Sequence, residues 1–207
     1  MEISDGLKGD LNTALNESDW LDIGVDSELR VARFLLRVLT LPEVGNAPAD
    51  RRVVLRCDGV GRVAASLRGG RWDDDQAPVE KVSLDGLSEV VRSFGGQSIY
   101  GWEFIDPSDR SWGRWGKRLS LDAVIGASGG THVIELFQES GTGPARHLDL
   151  RVWFDELSVT RAEGQPISLE EFAAGGTRWW DALYARDPRA HGHGIAPLSP
   201  ESPTPEE

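Results

Sequence analysis

A chain of 207 residues, 39% hydrophobic and 27% charged, has room for one substantial core and the ordinary composition of a globular domain. Its net charge of −12 disfavours a nucleic-acid backbone or an anionic membrane as partner, because the far field of the whole molecule repels both. No apolar run reaches the ~20 residues of a membrane span, and the opening MEISDGLKGD has neither the cationic start nor the apolar core of a signal peptide, so a cytoplasmic protein is expected.

Residues 1–28 read as an acidic N-terminal segment. After Lys8 come Asp10, Glu17, Asp19, Asp22, Asp26 and Glu28 before the next cation, Arg30. Trp20, Leu21, Ile23 and Val25 are its anchors, so it is expected to lie over the domain, with a short helix near residues 9–16. The stretch from Ser27 to Pro42 fits helical and extended periods alike. The polar NAPAD and the β-branched RRVVLRCDG that follow favour a long buried strand ending at Pro42. Within RRVVLRCDG, Val53, Leu55 and Cys57 alternate against Val54, Arg56 and Asp58, which turns the thiol toward the apolar side. Cys57 is the only cysteine, so an internal disulfide and a cysteine-rich zinc site are excluded.

Gly59 and Gly61 break that strand, and RVAASLRGG reads as its continuation or its partner. RGGRWDDDQAP is a loop, whose Asp73, Asp74 and Asp75 lack the alternating spacing of a calcium site. SLDGLSEVVRSFGG is a short helix or strand ended by Gly95-Gly96. From residue 97 the pattern becomes antiparallel, with Tyr100, Trp102 and Phe104 on one face. Alternation returns in RLSLDAVIG, which predicts a hairpin with residues 106–117 as its long loop. THVIELFQES is the next strand, and HLDLRVWF is the clearest of all, with Leu148, Leu150, Val152 and Phe154 facing inward. The apolar parity then flips to Leu157 and Val159, which predicts a bulge or bend at Asp155-Glu156.

The C-terminal part is helical. Ser168 and Glu171 make a capping box, flanked by a staple of Ile167 and Phe172. Gly175-Gly176 is expected to kink or end that helix, and Thr177 to cap a second one that buries Trp180, Leu183 and Tyr184 before Asp187-Pro188 stops it. The proline-rich residues 189–207 are expected to be disordered. Their His191 and His193 make a poor metal site. The reading is therefore a mainly antiparallel β fold, a sandwich or strongly curved sheet, with one or two C-terminal helices: α+β. Residues 29–188 form its single β-rich domain.

Two groups of residues stand out functionally. RSWGRWGKR packs Arg110, Arg114, Lys117 and Arg118 around Trp112 and Trp115 within an acidic chain. Tryptophan and arginine dominate interface hot spots because each joins a large contact area to a polar handle, and Trp102 is grouped with this loop as a binding candidate. The second group is the other face of the HLDLRVWF strand, His147, Asp149, Arg151 and Trp153, with Glu135 as a neighbour. Such a face is ordinarily the wetted side of an antiparallel sheet, and it is the alternative candidate for a small-ligand or hydrolytic site. Nucleophile elbows, metal-ligand sets, phosphate loops and complete dinucleotide fingerprints are absent from the sequence. The leading expectation is thus a non-catalytic interaction or accessory module with a protein partner, no cofactor and room for self-association. A third expectation is an immunity-type inhibitor that masks a basic partner with the acidic segment around Asp19 and Asp22.

Overall fold

In the computed structural model, residues 3–74, 76–105, 116–127, 129–140 and 144–191 are described. The chain runs α1 (Asp5–Leu15), β1 (Asp19–Asp26), β2 (Val31–Arg37), β3 (Arg52–Asp58), β4 (Arg62–Gly69), β5 (Val79–Glu80), α2 (Leu87–Ser93) and β6 (Gly101–Ile105). It continues with β7 (Leu121–Val124), β8 (His132–Ser140), β9 (Arg146–Phe154), β10 (Glu156–Arg161), β11 (Pro166–Ile167), α3 (Leu169–Tyr184) and a 3-10 turn (Pro188–Ala190). The strands make two antiparallel sheets, ordered β1-β2-β3-β10-β11 and β5-β4-β9-β8-β6, with β7 beside β5 on the same edge of β4. The expected α+β fold, mainly antiparallel β with a C-terminal helix, is the one observed.

A bent two-stranded ribbon joins the sheets. β3 pairs with β10 in the first sheet, and their continuations β4 and β9 pair in the second. Both strands turn the corner at one level, around Gly59 on one side and Asp155 on the other. Gly59 has φ +69°, and a Cβ there would stand 2.5 Å from Asp155 Oδ2, so only glycine fits. Asp155 accepts hydrogen bonds from the Thr131 amide at 3.1 Å and hydroxyl at 3.0 Å. The parity flip at Asp155-Glu156 therefore marks a strand passing from one sheet to the other.

The core lies between the sheets, where Phe34, Leu36, Leu55 and Cys57 meet Ala65, Leu136, Leu150 and Val152, all fully buried. Each such large apolar side chain contributes roughly 1.5–3 kcal/mol by leaving water. Trp102 belongs here too, edge-on to Phe34 at 5.9 Å. The alternation that points Phe104 inward does the same to Trp102, which is 5% exposed and borders the groove between α1, β6 and α3.

The acidic segment, expected to lie over the domain, contributes α1 and the edge strand β1 of the first sheet. β1 pairs with β2 on both sides of a register shift between Trp20 and Asp22, and Trp20 is fully buried in the core. β6 and β7 do not form a hairpin: β6 pairs with β8, and β7 with β4, at opposite edges of the second sheet. Ser120 decides this placement, since its amide donates to the Ala65 carbonyl at 2.8 Å and its hydroxyl accepts from the Leu67 amide at 2.7 Å.

The last helix is continuous through Gly175-Gly176. The capping bond is present, Ser168 Oγ accepting from the Glu171 amide at 3.1 Å. The glycines serve packing: a Cβ on Gly176 would lie 2.5 Å from Ala14 Cβ, so its absence lets α3 lie directly on α1. Trp179 is the buried tryptophan of α3, whereas Tyr184 is exposed. Residues 192–207 of the expected tail lie outside the described residues.

Candidate functional site

β9 is buried on both faces. Its inward face is apolar, as expected, while its other face carries His147, Asp149, Arg151 and Trp153. Cross-strand neighbours on that face are Arg68 and Glu139 beside His147, Ser66 and Phe137 beside Asp149, Ala64 and Glu135 beside Arg151. The expected wetted face is thus corrected: His147, Asp149 and Arg151 are 0%, 8% and 4% exposed. Charges taken from water must be paired, and these are. Arg68 donates to Asp149 at 2.6 Å, and Arg151 is ion-paired with Glu135. Trp153 is half-buried with the Arg62 guanidinium 5.1 Å from its ring, and Arg62 is held in turn by Asp122 at 2.7 Å.

The electrostatics are uncommon for a sheet face. Burial pushes the Asp149 carboxyl up to about 6, against the opposing pull of the Arg68 bond and charge. Burial lowers the pKa of His147, and the Arg68 charge lowers it further. Its Nδ1 lies 3.3 Å from the Gly70 carbonyl and so donates to it, which leaves Nε2 as an acceptor in the neutral ring. Nε2 of His147, Oγ of Ser66 and Nε of Arg68 are buried and lack a hydrogen-bond partner among the described residues. Each such atom costs roughly 1–3 kcal/mol unless something satisfies it.

Arg110, Trp112, Arg114 and Trp115 lie outside the described residues. The end of their stretch is visible: Lys117 is exposed, Arg118 is half-buried, and the Arg118 charge also lowers the His147 pKa. Of the Trp/Arg-rich stretch, it is Arg118 whose charge reaches His147 on the second sheet. Ser66 and Arg68 were not among the sequence candidates. Alternation along RVAASLRGG puts them on one face, but nothing local in β4 says that β9 is its neighbour.

Asp19 and Asp22 of the acidic segment have internal partners. Asp19 pairs with Arg37 at 2.6 Å. Asp22 pairs with Arg92 and accepts from Ser88 Oγ at 2.7 Å, clamping α2 to β1. An aromatic groove of about 420 Å³, between α1, β6 and α3, also escaped the sequence reading, and Tyr100, Trp180 and Tyr184 line it. Trp180 is fixed there by donating to the Thr13 carbonyl at 3.0 Å. Among the described residues no group of three histidine, cysteine or carboxylate side chains could hold a metal ion, and no helix is long and apolar enough to cross a membrane. The chain matches no family model, no curated protein and no solved structure.

Proposed function

We propose that the protein is a non-catalytic binding module that contacts a partner protein through the Trp/Arg-rich stretch 110–118, with the charged face of the second sheet as the platform beneath the end of that stretch. What supports this reading is Arg118, at the end of the stretch, whose charge is near enough to act on His147 of that face. Arg68 is matched by Asp149 and Arg151 by Glu135, an arrangement suited to a rigid support. Exposed Lys117 and the tryptophans beside it carry the residue types of interface hot spots. The test is capture of partners by the tagged chain, comparing wild type with W112A/W115A/R114A and with K117A/R118A at unchanged melting temperature. Loss of the same partner from both variants is expected. Retention of every partner at wild-type level by both overturns the reading.

A second reading, a small polar ligand on the His147 face, is favoured by the three buried polar atoms that lack a partner. A ligand that satisfied them would raise the melting temperature of the wild type, and S66A and H147Q would lose that response. A polar-metabolite panel that shifts wild type and both variants alike removes this second reading.

A further inference from the structure

A cavity of about 80 Å³ opens at the far end of the sandwich, between the start of β3 and the first turns of α3. Val38, Leu41, Val53, Ile167 and Phe172 give it apolar walls. Its charged lining divides into matched and unmatched groups. Asp50 is paired with Arg52 at 2.7 Å, and Glu171 with Arg178 at 2.6 Å. Arg51 and Arg161 remain, both half-buried, with no ion pair and no side-chain hydrogen bond among the described residues. The charges acting on Arg51 are those of Arg37 and Asp19, which are bonded to each other. Burial and the Arg37 charge depress the pKa of Arg51 more than the Asp19 carboxylate raises it. A chain of net charge −12 thus holds a small concavity whose unmatched charge is positive.

We infer that this cavity binds a small carboxylate with a short aliphatic chain. Its anionic end would lie between Arg51 and Arg161, and its chain against Val53, Ile167 and Phe172. Guanidinium groups suit a carboxylate because they are weakly hydrated and present planar donors. Apolar walls with a few polar groups are the general form of a small-molecule site, here at a volume well below the usual one. Size selects within the class, since about 80 Å³ suits a short acid better than a nucleotide. The site is remote from the His147 face and does not depend on the function proposed above.

The full chain should be titrated with acetate, butyrate and inorganic phosphate, following binding by calorimetry and by the arginine Nε–H signals in NMR. Butyrate is expected to saturate the site and to bind at least 5-fold more tightly than acetate or phosphate. R51Q and R161Q should each weaken butyrate at least 10-fold, while R33Q, on the outer face of the first sheet, leaves it unchanged. If R51Q melts early, R51K and R161Q carry the comparison. Phosphate bound as tightly as butyrate, binding unchanged in R161Q, or no saturable binding of any probe overturns the inference.

Discussion

Arg68 on β4 and Asp149 on β9 are bonded at 2.6 Å between adjacent strands, and each side chain keeps only about a tenth of its surface in water, 10% and 11%. The pair lies diagonally, Arg68 standing opposite His147 and Asp149 opposite Ser66. Desolvating two ions costs about as much as their attraction returns. Such a pair therefore fixes which strands are neighbours and in what register more than it adds stability. Arg151 and Glu135 repeat the device one strand over, directly across the β8–β9 ladder.

Asp149 predicts a pH dependence of definite sign. Its carboxyl sits at about 6 in the fold against 3.8 unpaired, so the folded chain binds this proton more tightly than the unfolded one. The resulting contribution, on the order of 3 kcal/mol, is fully present below pH 3.8 and is lost as pH rises through about 6. D149N, which cannot ionise, should gain about 2 kcal/mol relative to wild type between pH ~4.5 and ~7.5. Urea denaturation at the two pH values measures it; a gap that narrows with rising pH refutes the assignment.

Arg151 and Glu135 should show strong coupling. R151M leaves the partly buried Glu135 without its main counter-charge and should cost about 3 kcal/mol. E135M/R151M should recover most of that loss, because apolar groups of similar size need no counter-charge. A double variant as unstable as R151M alone would show that the pair is not what makes the single change costly.

Two helix glycines should respond with opposite signs to the same change. Gly9 in α1 has nothing within 4 Å of where a Cβ would stand, so G9A should stabilise by up to about 1 kcal/mol through helix propensity. Gly176 faces Ala14 at the α1–α3 crossing, and G176A should destabilise by about 1–3 kcal/mol through overpacking. Thermal melts of the two variants, side by side, decide it.

Cys57 is fully buried, and burial, with Asp58 nearby, raises its pKa well above the ordinary thiol value. A thiolate reagent at pH ~8 should leave the native chain unlabelled and modify it stoichiometrically in denaturant. Fast labelling of native protein would contradict the placement of β3.

Much of the strand content was legible because alternation is local. HLDLRVWF, RRVVLRCDG and the Ser168 cap each announce their structure within about ten residues, as side-chain period and capping chemistry act between near neighbours. The candidate site was half legible. His147, Asp149 and Arg151 follow from parity, and Glu135 from its neighbouring strand. Ser66 and Arg68, some 80 residues upstream of Asp149, do not.

The sequence by itself determined the class of fold, and the inward and opposite sets of β3 and β9. Only the tertiary structure decided that the ribbon of β3–β4 and β9–β10 turns from one sheet into the other, that β6 and β7 stand at opposite edges, and that the polar face of β9 is buried. Those outcomes depend on contacts between residues distant in the chain: Asp155 against Gly59, Ser120 against Ala65 and Leu67, Arg68 against Asp149. No period or propensity encodes which of several alternating strands will be neighbours, because that choice is made by the packing of the whole core.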